Sequence, residues 1–133
     1  MTPDPLVVPP GVITRVPINQ LGQAQNVTLG TNSLIVGESG YYFIVAMIYG
    51  QNITKDAGLQ LQFTINDAVQ PFTYALNTIQ FEFVYHTIST ILALQEGDEL
   101  ALTFLSVSGL TFDFGASAPA SMTIVKIADL PPV

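Results

Sequence analysis

Residues 41–49 form an unbroken apolar run, Tyr-Tyr-Phe-Ile-Val-Ala-Met-Ile-Tyr. The run is too short to cross a membrane, which takes about 20 helical residues. Its aromatic and β-branched side chains favour a strand, and this strand is apolar on both faces. In a two-layer sandwich only one face of each sheet meets the core. The face of this strand that does not meet the core must therefore be buried against something else.

Two other segments alternate apolar and polar residues, which predicts strands with one buried and one wet face. The rows predicted to be buried are Leu59, Leu61, Phe63 and Ile65 in one segment, and Ile79, Phe81, Phe83 and Tyr85 in the other. No window has the helical spacing of three and four over three turns. With turn residues between segments, we predict ten strands, at roughly 12–18, 25–29, 33–37, 41–49, 59–66, 70–75, 79–94 (broken), 99–107, 110–114 and 120–128. Short strands at this spacing favour an all-β sandwich or barrel.

The 133 residues amount to one domain. Prolines at 3, 5, 9 and 10 predict that residues 1–11 are an extended arm or linker, because proline fixes φ and removes a backbone donor. The domain is predicted to span residues 12–128, and residues 129–133 are predicted to be a tail.

The charge balance excludes several classes of function. Three basic residues face ten acidic ones, so the basic footprint of a nucleic-acid-binding protein is missing. Binding to an anionic membrane is disfavoured for the same reason, and no segment predicts membrane insertion. The chain has no cysteine, which excludes disulfides and thiolate chemistry. Only 10% of residues are charged while 49% are hydrophobic, which indicates apolar surface that a partner covers.

We predict that another copy of the chain covers the second apolar face of residues 41–49. The strand at 100–107 is also nearly apolar on both faces, and no amphipathic helix is available to pack on either strand. The sequence therefore favours an oligomer with one whole sheet at its interface. The alternative is that residues 41–49 are the central strand of a crowded barrel.

Three motifs resemble C1q/TNF-like jelly rolls. Gly40-Tyr41-Tyr42-Phe43 resembles the Gly-x-Tyr-x-Phe entry to a central strand of that superfamily. The segment at 92–102, with Gly97-Asp98 between apolar strands, resembles a family hairpin, and residues 120–127 resemble the last strand. Within the superfamily, the low charge and the Ile-Val-Lys-Ile ending are most similar to the C-terminal domains of collagen-like exosporium glycoproteins of Bacillus spores. The collagen Gly-x-y stalk of those proteins is absent from this sequence.

The resemblance implies a ten-strand jelly-roll β-sandwich that forms a homotrimer through one sheet. That sheet would contain the strand after Gly-x-Tyr, the strand after Gly-Asp and the last strand. As interface residues we predict Tyr42, Ile44, Ala46, Ile48, Leu105 and Ile124, so that Ile48→Asp would dissociate the trimer. The opposite face of the strand, which carries Tyr41, is the alternative.

The implied function is a non-enzymatic display module on a bacterial spore or another extracellular surface, where its partners would be other copies, other surface proteins or glycans. The alternative is a TNF-like or lectin-like binding module that recognises a receptor or glycan. An enzyme is disfavoured, because nucleophile–base catalysis needs a histidine with an orienting carboxylate. His86 is the only histidine, and Glu82 is too distant along the same strand to contact it.

Three carboxylates cluster at one turn: Glu96, Asp98 and Glu99. Oxygen ligands of this kind suit calcium, which is the only cofactor that the sequence suggests, but no motif with fixed ligand spacing is present. In the alternative interpretation, Gly97-Asp98 forms a hairpin turn and the charges keep a sheet edge soluble. No cofactor is then expected.

Overall fold

The computed structural model describes residues 5–18, 20–24, 26–114 and 120–131, without the side chains of residues 20–24 and 72. The described residues form strands and no helix, so no helix among them could cross a membrane. The strands are β1 (Leu6–Val8), β2 (Thr14–Arg15), β3 (Gln20–Ala24), β4 (Val27–Gly30), β5 (Ser33–Val36), β6 (Gly40–Asn52), β7 (Ala57–Ile65), β8 (Ala68–Thr78), β9 (Phe83–Leu94), β10 (Glu99–Leu105), β11 (Leu110–Asp113) and β12 (Ala120–Ala128).

The strands form two sheets, as expected for a jelly-roll sandwich. The first sheet has the order β1-β11-β6-β12-β3, and β9 pairs along the other edge of β6. The second sheet has the order β4-β5-β10-β7-β8, with β2 also paired to β10. All the pairs are antiparallel except β3 with β12. The prediction of an all-β sandwich is therefore confirmed.

The core lies between the sheets and takes alternate residues from each strand. Strand β6 contributes Tyr42, Ile44, Ala46 and Ile48, while β7 contributes Leu59, Leu61 and Phe63, as its alternation predicted. The aromatic rings of Phe104, Phe112 and Phe114 pack on one another with centroids 4.9–6.4 Å apart. Such rings bury large apolar areas and dominate the energy of a core.

The arm is partly built into the sandwich. Residues 6–8 of the predicted arm pair with β11, in the register Leu6 opposite Phe112, so this part is an edge strand of the first sheet. Val8 is buried in the core. Residues 1–4 of the arm and residues 132–133 of the predicted tail lie outside the described residues.

Asn52 joins two loops and the end of β8 at one end of the sandwich. Its Nδ2 donates to the carbonyl of Lys55 at 2.5 Å and to the Thr78 hydroxyl at 2.8 Å, and its Oδ1 accepts from the Thr54 backbone at 3.1 Å. The carbonyl of Asn52 accepts from the Phe81 backbone at 2.6 Å. The side chain is fully buried, so these bonds replace all the water that it would otherwise contact.

Two tight hairpins were predicted from their turn residues. Asn66 and Asp67 have φ values of 51° and 67° between β7 and β8, and positive φ at both central residues is the signature of a type I′ turn. Gly97 has a φ of 91° between β9 and β10. The predicted break in 79–94 lies at its start, because residues 79–82 form the connection between β8 and β9.

Candidate interaction face

The outward side of the first sheet is built by three adjacent strands. In the β6–β9 ladder, Phe43 lies opposite Ile91 and Tyr49 opposite Tyr85. In the β6–β12 ladder, Phe43 also lies opposite Val125. Opposed residues share a face of the sheet, and this face points away from the core. We call it the β6 outer face; it comprises Tyr41, Phe43, Val45, Met47, Tyr49, Phe83, Tyr85, Thr87, Ser89, Ile91, Ala93, Ser121, Thr123 and Val125.

Large apolar side chains of this face remain open to solvent in a single chain. The exposed fractions are 40% for Phe43, 43% for Tyr49, 63% for Phe83, 62% for Tyr85 and 55% for Ile91. Tyr49 stacks on Phe83 with ring centroids 5.8 Å apart and meets Tyr85 edge-on at 6.2 Å. The three rings thus form an ordered aromatic cluster at one end of the face.

No residue of the set named above is charged, although Gln51, opposite Phe83, and Asp113 of β11, opposite Gln51, continue the face at its aromatic end. The members of the set are aromatic, aliphatic or hydroxyl-bearing residues. Contiguous apolar surface of this kind marks an interaction site in most soluble proteins. Aromatic residues and methionine are enriched in protein interfaces, and charges are depleted from their centres. The composition of the face therefore suits contact with another protein surface.

The structure corrects the predicted interface. The Tyr42 row of β6 points into the core, where Tyr42 and Ile44 are fully buried and Ile48 is 3% exposed. Ile124 lies opposite Ile44 in the β6–β12 ladder and also points into the core, where it is fully buried. These side chains already pack within one chain, so they are not available to a second copy. Ile48→Asp would disrupt the core instead of separating subunits.

Leu105 lies on the second sheet. Its strand, β10, pairs with β5 and β7, so the strand after Gly-Asp does not share a sheet with β6 and β12. Strand β9, which precedes Gly-Asp, is the neighbour of β6. Of the two faces considered for residues 41–49, the Tyr41 face is the one that points outward.

The predicted burial of the row from Ile79 to Tyr85 is wrong. Ile79 and Phe81 belong to the exposed connection, and Phe83 and Tyr85 point outward, whereas Val84 is buried. The aromatic residues at the beginning of the segment occupy the outward row. Ile88 and Leu94 lie an even number of residues from Val84 on the same side of β9, and they are also buried. These apolar residues in the later part of β9 are the sequence signal that identifies its inward face.

Two of the three turn carboxylates, Asp98 and Glu99, are hydrogen-bonded to other residues of the chain. Glu99 accepts hydrogen bonds from Arg15 Nη2 at 2.8 Å and from the Ser33 hydroxyl at 2.7 Å. Arg15 holds the pKa of Glu99 below its usual value of 4.5, and Ser33 adds to this effect. Asp98 accepts from Asn66 Nδ2 at 2.9 Å and from the Gln95 backbone at 2.8 Å.

The described residues contain no group of three or more acidic or histidine side chains placed to hold a metal ion. Calcium binding at this turn stays an untested prediction. The bonds of Glu99 and Asp98 stabilise the β9–β10 and β7–β8 turns, and Arg15 also reaches Asp67 Oδ1 at 2.8 Å.

A second group of ion pairs lies beside the start of β6 and the end of β12, in the first sheet. Lys126 Nζ lies 2.5 Å from Glu38 Oε1 and 2.6 Å from Asp129 Oδ1. Asp129 and then Glu38 raise the pKa of Lys126. The Tyr42 hydroxyl donates to the Glu38 carbonyl at 2.6 Å, and burial raises the pKa of that phenol. These contacts anchor the start of β6 to the end of β12.

His86 lies at the edge between the sheets. Its ring is half-buried and meets the ring of Tyr74, on β8, with centroids 4.1 Å apart. Glu82 lies in the exposed connection before β9. The arrangement packs two strands together and contains no described carboxylate hydrogen-bonded to the imidazole.

The chain has two mainly antiparallel sheets, and β6, β9 and β12 form one outer face. This is the architecture of a jelly-roll sandwich. Comparison with solved structures finds a TNF-like fold: the Eiger TNF of S. frugiperda matches with a TM-score of 0.60 and 18% identity, over 80% of this chain and 71% of that chain. At this identity the likeness concerns the fold alone. No family model and no curated protein matches the sequence.

Proposed function

We propose that this chain is a non-enzymatic head domain that assembles into a homotrimer through the β6 outer face and is displayed on a bacterial spore or other extracellular surface. The observation that carries the proposal is the uncharged face itself, on which Phe43, Tyr49 and Tyr85 are 40–62% exposed in one chain. Leaving such surface in water is unfavourable, at about 25 cal/mol per Å². Self-association removes it from water.

One end of the face differs from the rest, which favours a ring over a two-fold dimer. Phe83 and Tyr85 lie on β9 beyond the stretch of β6 that pairs with β12, whereas along that stretch both flanking strands carry aliphatic and hydroxyl-bearing residues. A two-fold axis places a patch against itself, whereas a ring places one patch against a different one. In a ring, the aromatic end of one copy would pack on the less bulky part of the face of the next copy. The TNF-like fold and the C1q/TNF-like motifs support the same assembly.

Display on a spore surface rests on the resemblance of the low-charge strands and the Ile-Val-Lys-Ile ending to exosporium glycoproteins. The non-enzymatic role draws support from the surroundings of His86, which contacts the Tyr74 ring.

Two separate aspartate substitutions, one on the outward face of each sheet, test the assembly. Phe43→Asp places a charge on the β6 outer face, and Thr73→Asp places the same charge on the exposed outward side of the second sheet. Sedimentation velocity is expected to show a trimer for the unmodified chain and for Thr73→Asp, and a folded monomer for Phe43→Asp. A trimeric Phe43→Asp variant would exclude this face as the interface.

A further inference from the structure

Gly58 has no structural explanation within the chain. It lies in β7, opposite Asn77 of β8. A Cβ atom built on it would meet only Asn77 Oδ1, at 3.8 Å, and its φ lies outside the left-handed region. A positive φ or a close neighbouring atom explains every other glycine whose surroundings are described: Gly11, Gly30, Gly37, Gly40, Gly50, Gly97 and Gly109.

Glycine inside a strand weakens the strand, because it adds backbone entropy to the unfolded chain and packs no side chain. Such a glycine often marks a bulge, a tight bend, or a place where a ligand or another backbone approaches closely. The β7–β8 pairing has no bulge at Gly58, since its register shift lies between Gln62 and Thr64. The open space above Gly58 leaves room for such an approach.

A depression of about 290 Å³ lies over Gly58 on the outward side of the second sheet. Gly58 and Ala75 keep it open, since neither has a side chain that could fill it. Its apolar walls include Leu105 and Val107, and Val107 is 82% exposed at the rim. The volume is just below the roughly 300–1,000 Å³ typical of ligand pockets, so it suits a single ring or a short side chain.

The polar groups of the depression are neutral. The side-chain amides of Gln60 and Asn77 and the hydroxyl of Ser108 contribute to its lining, and none of the described lining residues is charged. Within the described part of the chain, the two amides have no hydrogen-bond partner. Each amide both donates and accepts.

We propose that this Gly58 depression binds one ring of a neutral saccharide. Sugar hydroxyls donate and accept hydrogen bonds, which matches the amides of Gln60 and Asn77 and the Ser108 hydroxyl. The C–H face of a sugar ring is apolar, which matches Leu105 and Val107. A charged ligand would lose water here without gaining an opposite charge.

The site lies on the second sheet, whereas the β6 outer face belongs to the first sheet. Binding therefore does not depend on the proposed trimer. Each assembled head would present several copies of the depression, and such multivalency strengthens binding to a surface that bears repeated sugars.

Saturation-transfer NMR of the full chain tests the proposal with glucose, galactose, mannose and N-acetylglucosamine as separate probes. Gly58→Val fills the depression with a residue that strands favour, and Asn77→Ala removes one amide. Thr73→Val is the matched control, because Thr73 shares the outward side of β8 but does not line the depression. Binding of at least one sugar to the unmodified chain and to the control is expected, with binding at least about tenfold weaker in the other two variants.

Several results would overturn the proposal. They are the absence of signal from all four sugars, unchanged binding by Gly58→Val, and binding of a neutral capped alanine dipeptide in place of the sugars. The thermal midpoint provides a separate check, because Gly58→Ala should raise it. A lower midpoint would mean that the fold itself requires this glycine, and the argument for a ligand would fail. The mass of each variant is measured in parallel, so loss of the trimer is distinguished from loss of sugar binding.

Discussion

Met47 and Ile48 are neighbours in β6 whose side chains point in opposite directions. Ile48 is 3% exposed in the core, whereas Met47 is half-buried on the β6 outer face. Ile48→Asp removes apolar burial worth about 1.5–3 kcal/mol. It also moves a carboxylate out of water into the core, opposite the half-buried His86 of β9, at a cost of several kcal/mol. The combined loss, roughly 5 kcal/mol or more, is comparable with the total stability of a small domain, about 5–15 kcal/mol.

Met47→Asp should spare the single chain and break the assembly. In one chain the carboxylate reaches solvent, so the free energy of unfolding of the protomer should change by less than about 1 kcal/mol. In a trimer three carboxylates would lose water together in an uncharged interface, at a cost of several kcal/mol each. Since 1.4 kcal/mol is a factor of ten in an equilibrium constant, the dissociation constant should rise by more than about a thousandfold.

The assay combines far-ultraviolet circular dichroism with light scattering on a sizing column. Met47→Asp is expected to keep the β spectrum and elute as a monomer, and Ile48→Asp is expected to lose the cooperative thermal transition. A trimeric Met47→Asp variant would exclude the β6 outer face as the interface, and so would an Ile48→Asp variant that folds and only dissociates. The second result would mean that the faces of β6 are reversed.

Other substitutions test the parts of the fold that hold the face in place. Gly50→Ala should destabilise the chain by about 1–3 kcal/mol in urea unfolding, because a Cβ atom would overlap the Phe112 ring. Asn52→Ala should cost about 1–3 kcal/mol for each buried partner left unpaired; an unchanged urea midpoint would contradict this. The lowered pKa of Glu99 means that its bond to Arg15 stabilises the fold above the usual glutamate value of 4.5 and is lost as the pH falls below it. Glu99→Gln should therefore flatten the decline in thermal midpoint between about pH 5 and pH 3, and parallel curves for the two proteins would contradict the assignment.

Period-two patterning predicted most strands, because each strand must bury one face. It succeeded for β7, where Leu59, Leu61 and Phe63 are separated by polar residues. It missed β3, residues 20–24, whose Gln-Leu-Gly-Gln-Ala sequence has no apolar row. It also missed the strand at residues 6–8, since the neighbouring prolines are typical of a linker and only the pairing with β11 makes this segment part of the sheet.

The location of the candidate interface was predicted only in part. Two-sided apolarity correctly singled out β6, but both of its rows are apolar, so composition did not distinguish the inward from the outward side. The distinction comes from cross-strand pairing: the outward row from Tyr41 to Tyr49 lies opposite Ser89 and Thr87 of β9 in its middle. Hydroxyl-bearing neighbours of this kind identify the outer side once the register is known. The Gly58 depression had no signal in the sequence, because it depends on Ala75 of β8 lying near Val107 of the loop after β10, with β7 between them.

The most direct test of the central claim, that the β6 outer face holds three copies together, is the solution mass of the unmodified chain by light scattering over a dilution series. We expect a mass close to three times 14.3 kDa that persists on dilution, because the β6 outer face is rich in aromatic side chains. A monomer at every concentration would contradict it, since Phe43, Tyr49, Phe83 and Tyr85 would then remain exposed in the native protein.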